Sequence, residues 1–177
     1  MKGFSLIILF SLLINIAGYS QEDDPIINEP KLFADFLMGP YLFIDHIQYD
    51  AVMLFGSRLG YDISNSFSFI VEYVVGQQED EFGTLGMTHH ASIHSSFYLL
   101  SKEKKITPYI YAGGGFLEFK AFTKDKYGIG LYGGSGIENN LRELLKSFIE
   151  FRYLNISSFG WSAKHEIGVF WGIRLKF

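Results

Sequence analysis

The sequence predicts an all-β fold, an eight-stranded antiparallel up-and-down transmembrane β-barrel. Three observations lead there. Stretches of about ten residues alternate apolar and small or polar side chains with period two, separated by turn residues. Aromatic residues make up 18% of the chain and glycines number 19, more rings than a soluble domain of this size needs but suited to aromatic girdles at two membrane interfaces. Charged residues inside the alternating stretches fall on the face opposite the apolar one, so that face is expected to line a lumen.

The first residues read as a targeting segment. Met1 and Lys2 make a short positive start, Phe4 to Ala17 is almost unbroken apolar, and Gly18-Tyr19-Ser20 places small residues before Gln21. This is the layout of a secretory signal peptide with cleavage after Ser20. The apolar run is shorter than the roughly 20 residues a membrane-spanning helix needs. Residues 1–20 are therefore assigned to the signal peptide, 21–30 to a polar, acidic, flexible lead-in, and 31–177 to one barrel domain. The chain has no cysteine, which excludes a disulfide framework, thiol chemistry and a lipoprotein anchor. A net charge of −4 without a Lys/Arg block argues against a nucleic-acid partner.

The strands follow in order. Leu32 to Phe43 carries Pro40, tolerable only at a bulge or where the missing N–H is not needed. Ala51 to Ile63 sets Met53, Phe55, Leu59 and Tyr61 against Gly56, Arg58, Gly60 and Asp62. Phe67 to Val75 is apolar at every odd position, with Glu72 opposite. Ala91 to Leu99 opposes Ile93, Phe97 and Leu99 to His90, Ser92, His94 and Ser96. Ile106 to Phe119 has Pro108 near its start. Tyr127 to Glu138 gathers Gly128, Gly130, Gly134, Gly136 and Glu138 on one face. Ser147 to Asn155 alternates Ile149, Phe151 and Tyr153 with Glu150 and Arg152, after a lead-in whose Leu141, Leu144, Leu145 and Phe148 are spaced like a helix face. The last segment is clearest: Ile167, Val169, Trp171, Ile173, Leu175 and Phe177 alternate with Glu166, Gly168, Phe170, Gly172, Arg174 and Lys176.

Short turns are expected at Ser64-Asn65-Ser66, Ser101 to Lys105 and Asn139 to Lys146. The outer loops are expected at Ile44 to Asp50, Gln77 to Met87, Lys120 to Lys126 and Ser157 to Lys164. By parity Arg58, Arg152 and Arg174 point inward together with Glu72, Glu138 and Glu150. Charges in so narrow a barrel are tolerable only when paired and hydrogen-bonded, so the lumen is expected to be closed by ion pairs. A soluble periplasmic barrel would require the opposite packing, with these charges outside.

Other chemistry is weakly signalled. Gly128-Ile129-Gly130-Leu131-Tyr132-Gly133 matches G-x-G-x-x-G but lies inside a strand, not before a helix whose N-terminus could meet a pyrophosphate. His89, His90 and His94 have no carboxylate at a metal-site spacing, and His90 and His94 with Ser92 and Ser96 read as an interior polar network. The acidic loop Glu79-Asp80-Glu81 reads as solvated. No metal and no cofactor is expected.

Gly168-Val169-Phe170-Trp171-Gly172-Ile173-Arg174-Leu175-Lys176-Phe177 resembles the last strand of bacterial outer-membrane barrels, which ends in Phe. The stretch Thr107-Pro108-Tyr109-Ile110-Tyr111-Ala112-Gly113-Gly114-Gly115-Phe116 is similar to a strand of the OmpA-type barrel superfamily, as are Gly134 to Glu138 and Phe148 to Tyr153. The resemblance implies a structural or surface-interaction protein of the Gram-negative outer membrane, a monomer surrounded by lipids and lipopolysaccharide. It also implies recognition of Phe177 and Trp171 by the barrel assembly machinery. Arg152-Tyr153-Leu154-Asn155-Ile156-Ser157-Ser158 is similar in placement to the His-x-Ser-Asn motif of PagL-type lipid A deacylases. That resemblance implies Ser157 as nucleophile beside Asn155, but an amide in place of the histidine cannot take the serine proton. Glu166 or His165 would then have to serve as base.

Overall fold

The computed structural model describes residues 32–43, 52–79, 85–102, 104–121, 125–159 and 165–177. The expected signal peptide and lead-in lie outside the described residues, as do 44–50, 80–84, 122–124 and 160–164 of the expected outer loops. Eight strands follow one another: β1 (Leu32–Phe43), β2 (Val52–Ser64), β3 (Phe67–Glu79), β4 (Leu85–Tyr98), β5 (Ile106–Ala121), β6 (Lys126–Arg142), β7 (Leu145–Phe159) and β8 (His165–Lys176). Each pairs antiparallel with its sequence neighbour, and β8 pairs back onto β1 from Phe33↔Lys176 to Phe43↔Glu166. The sheet is a closed barrel, which leaves no strand edge unpaired.

Alternation decides which face is which. On β1 the odd positions Phe33, Asp35, Leu37 and Tyr41 are buried, and on β8 the even positions Glu166, Phe170, Arg174 and Lys176. The opposite parity is exposed and apolar around the barrel, from Phe36 and Leu59 through Leu131 and Ile149 to Trp171 and Ile173. The greasy faces therefore point outward and the charged faces inward, the reverse of a soluble barrel.

Pro40 occupies a tolerated site. It pairs with Met53 of β2, while the ladder to β8 lapses between Met38↔Trp171 and Tyr41↔Gly168, where its absent N–H removes no bond. Pro108 sits near the beginning of β5, opposite Ile137, and its carbonyl accepts from the Leu99 amide at 3.0 Å.

The strands run longer than the sequence suggests, so several expected connections shrink. β3 continues to Glu79 and β4 begins at Leu85, which leaves much of the expected Gln77 to Met87 loop in the sheet. Ser157, expected at the start of a loop, is still in β7, opposite Ile129. The expected turn from Asn139 to Lys146 contracts to Glu143 and Leu144. Before that turn the register slips between Asn140 and Arg142, and a matching slip lies between Asp62 and Ser64. These are β-bulges at the barrel rim. The bulge and turn also explain the helix-like spacing of Leu141, Leu144 and Leu145. Leu141 and Leu144 are exposed, and Phe148 alone of the set is buried in the lumen.

The glycine run of β6 makes room. A Cβ on Gly136 would lie 2.6 Å from the Tyr109 ring, and one on Gly134 would lie 2.0 Å from the Phe151 carbonyl oxygen. Tyr109 and Tyr111 fill that space.

Candidate functional site

The interior is built in layers along the axis. At the end bearing the β2–β3 and β4–β5 turns, Asp62 accepts from Ser68 Oγ at 2.7 Å and from Lys102 Nζ at 2.8 Å. Lys102 comes from the β4–β5 turn, folds into the barrel mouth, and also donates to the Ser64 carbonyl at 3.0 Å. Its ammonium lies 4.3 Å from the centre of the Tyr98 ring. Burial pulls the Lys102 amine down to about 8, although the Asp62 charge opposes the shift.

Above it, Arg174 grips Asp35 through two parallel hydrogen bonds, Nε to Oδ1 and Nη2 to Oδ2, each 2.8 Å. Its remaining nitrogen, Nη1, meets Tyr98 Oη at 2.6 Å and Glu138 Oε1. Lys146 Nζ reaches the other oxygen of Glu138 at 3.2 Å.

The middle layer is a four-membered ring of charge. Arg58 Nε donates to Glu72 at 2.6 Å and its Nη1 to Glu150 at 2.7 Å. Arg152 donates from both Nη atoms to the two oxygens of Glu72, each at 2.7 Å, and its Nη2 lies 3.6 Å from Glu150. Each carboxylate thus sits between the two guanidinium groups, which is how like charges can share a narrow space. Tyr109 donates to Glu150 at 2.6 Å. All four charged side chains are at most 3% exposed, so the ring is buried inside the barrel.

Towards the loops the interior turns apolar, with Leu54, Val74, Leu117, Leu154 and Ile156 buried. Tyr41 and His90 meet edge to face at 5.9 Å between ring centres, and His90 Nε2 lies 3.2 Å from Thr88 Oγ1. His94, deeper, bonds Tyr132 Oη at 2.6 Å through Nδ1. These histidines thus belong to separate polar contacts, and among the described residues no cluster of acidic and histidine side chains is arranged to hold a metal.

On the outer surface, Asn155 of β7 faces His165 of β8 directly. Asn155 Nδ2 donates to His165 Nδ1 at 3.1 Å, and the Tyr153 hydroxyl approaches the same nitrogen at 2.5 Å. Glu166, a candidate base on sequence grounds, points the other way. It is fully buried in the lumen, on the opposite side of the sheet from Asn155, because adjacent strand residues project to opposite faces. Glu166 therefore cannot act with Asn155. Ser157 lies two residues beyond Asn155 on β7, and its side chain lies outside the described residues. Trp171 and Phe177 are both exposed, and the Phe177 amide donates to the Leu32 carbonyl at 2.9 Å.

No protein-family model and no curated protein matches the chain. Solved structures do. Neisserial surface protein A superposes with a TM-score of 0.66 at 16% identity, covering 82% of this chain and 96% of that one. The N-terminal β-barrel domain of Pseudomonas aeruginosa OprF gives 0.59 at 14% identity, covering 84% and 100%. The outer membrane protein OprG of the same organism gives 0.57 at 12% identity, covering 87% and 99%. This chain has the fold of the small outer-membrane β-barrels.

Within this outer-membrane-type barrel, Arg58, Glu72, Glu138, Glu150, Arg152 and Arg174 are all buried. Among the described residues Asp35, Asp62, Lys102, Lys146 and Lys176 are buried and ion-paired with them or with one another. Asp35 and Asp62 were readable from the same period-two rule. Lys146 was hidden by its assignment to a turn. Lys102 carries no strand signal, since it enters the barrel mouth from the β4–β5 turn.

Proposed function

We propose that the chain is an integral outer-membrane barrel with a structural or surface-interaction role and a closed, non-conducting lumen. The observation that carries this reading is the inside-out arrangement of the sheet. A continuous apolar exterior needs a lipid surround, and the ring of Arg58, Glu72, Arg152 and Glu150 leaves no aqueous path along the axis. The chemistry suits export by residues 1–20 and insertion as a monomer among outer-membrane lipids and lipopolysaccharide. Phe177 and Trp171 supply an exposed aromatic terminus for the barrel assembly machinery to bind. The test is to refold the chain into liposomes and planar bilayers. Insertion with heat-modifiable migration and no unitary current is the expected result. Stable unitary currents, or failure to insert, overturn the reading.

A lipid acyl hydrolase is the second reading, favoured by the contact of Asn155 with His165, two residues before Ser157 on β7. Its difficulty is tautomeric. An Nδ1 that accepts from the Asn155 amide leaves the proton of the neutral imidazole on Nε2, so that neither nitrogen is available to take one from serine. Incubating the refolded chain with lipid A distinguishes the two. Acyl release that Ser157→Ala abolishes establishes the hydrolase, and no release leaves the structural reading.

A further inference from the structure

The apolar outer surface is uneven over β6. Ser135 pairs with Ile110 of β5 on one side and with Phe151 of β7 on the other, so a small side chain stands between two large, exposed ones. Gly133, the next outward residue towards the loops, brings no side chain to fill the dip. One row towards the turns, Ile137 lies between Pro108 and Ile149, and a row further on Asn139 faces Ser147. The result is a groove of about 590 Å³ on the outer face, with Phe151 near one end and Asn139 and Ser147 at the turn end.

The turn end of the groove is chemically different from its walls. The Asn139 side-chain oxygen is shielded and has no hydrogen-bond partner, which leaves an acceptor without a donor. Its neighbour Asn140 ties down the β4–β5 turn, donating from Nδ2 to the Lys104 carbonyl at 2.6 Å and from its amide to the Lys105 carbonyl at 2.9 Å. Lys104 and Lys105 are both exposed, so two ammonium groups are held at the mouth. The turn sequence sets one acid, Glu103, against them, and Arg142 and Glu143 of the next turn offset each other in charge. The rim is therefore net positive.

We infer that this groove seats one acyl chain of an anionic phospholipid, with the lipid phosphate at Lys104 and Lys105. The inference rests on the membrane-spanning reading of the barrel and names one lipid that the barrel selects. A cleft in a lipid-facing wall has to be filled by something apolar, and Ile110, Ile137, Ile149 and Phe151 supply the contacts that a flexible hydrocarbon chain fits. The lysines select the headgroup, because basic side chains beside a membrane attract anionic lipids and an ammonium binds phosphate as a point charge. A glycerol headgroup adds the hydroxyl donor that the Asn139 oxygen lacks, which points to phosphatidylglycerol over phosphatidylcholine.

Trp171 is placed to report on this. It is exposed on β8 directly opposite Ile149, a wall of the groove. The chain has two tryptophans, and Trp161→Phe leaves Trp171 as the only one. That full-length variant is refolded into phosphatidylcholine vesicles containing a small fraction of acyl-brominated phosphatidylglycerol or acyl-brominated phosphatidylcholine, since bromine quenches tryptophan on contact. The expected result is several-fold stronger quenching by the brominated phosphatidylglycerol, saturating at low mole fraction. Ser135→Phe fills the dip without touching a charge and should abolish the preference, and Lys104→Gln with Lys105→Gln should weaken it several-fold. Leu59→Trp, in a chain with both native tryptophans changed to Phe, reports from β2, four strands away, and should be quenched equally by the two lipids. Heat-modifiable migration verifies that each variant is folded and inserted. Equal quenching of Trp171 by both lipids overturns the inference, as does a preference that survives Ser135→Phe or appears equally at Leu59→Trp. Shielding of Trp171 from both lipids in a cross-linkable dimer overturns it in favour of a second copy of the chain. Failure to insert overturns the membrane reading as well, whereas insertion without lipid preference overturns this inference alone.

Discussion

Asp35 and Arg174 stand 139 residues apart in the chain and directly opposite one another across the β1–β8 seam, joined by two hydrogen bonds of 2.8 Å. The pair welds the closing strands from the inside, where the backbone ladder already joins them.

Asp35→Asn is therefore expected to destabilise the folded barrel by about 1–3 kcal/mol, because it removes the charge that two of the Arg174 nitrogens face and leaves Glu138 as the remaining carboxylate on that guanidinium. Asp35→Asn combined with Arg174→Met should recover much of that loss. Denaturant unfolding in micelles, followed by tryptophan fluorescence and heat-modifiable migration, measures both. Equal stability of wild type and Asp35→Asn would show that the seam pair contributes nothing.

The glycines of β6 predict overpacking. Gly136→Leu drives a side chain into the Tyr109 ring, which donates to Glu150 and cannot retreat without breaking that bond. A loss of roughly 1–3 kcal/mol is expected. The outward Gly133, whose Cβ would come no closer than 3.3 Å to the Tyr111 carbonyl oxygen, should accept alanine at smaller cost. Comparing unfolding midpoints of Gly136→Leu and Gly133→Ala tests the distinction.

Lys102 gives a pH dependence. Its amine ionises near 8 in the folded barrel and near 10.5 when unfolded. Between those values the unfolded chain binds the extra proton, so this residue makes stability rise as pH climbs from about 8 to about 10.5. Below 8 both states are protonated and the slope vanishes. Reductive 13C-methylation with NMR titration should show one lysine ionising near 8, and Lys102→Met should remove both that resonance and the alkaline slope.

The outer rim yields a tautomer prediction. In the refolded protein, 15N spectra should place the neutral His165 proton on Nε2, with Nδ1 bare and accepting from Asn155. A proton on Nδ1 would mean that the contact is reversed and the amide oxygen faces the ring, which would restore Nε2 as a base.

Much of the fold was legible because period two is a local property. Whether Arg58 or Leu59 faces inward follows from the neighbours of each, and a strand count follows from the turns between. What alternation cannot supply is height along the axis. Arg58 meets Glu150, 92 residues away, only because register shifts between successive strands bring those rows level. The same limit applies to Glu166. Parity placed it on the charged face, but its level beside Leu154 of β7, in the apolar part of the bore, does not follow from alternation. The bulges at Ile63 and Leu141 were invisible for another reason, since each breaks the alternation used to find strands.

The position of Arg174 on the final strand has a consequence for biogenesis. A chain with seven strands formed would present Asp35 and the Arg174-facing oxygen of Glu138 to an interior still lacking their guanidinium. Such a half-built cylinder has to stay wet, and arrival of β8 both zips the seam and expels that water. Where β8 is the last strand to join, dehydration of the bore comes at that step, and a truncation before Arg174 should leave a leaky, protease-sensitive cup, measured by limited proteolysis against the whole chain.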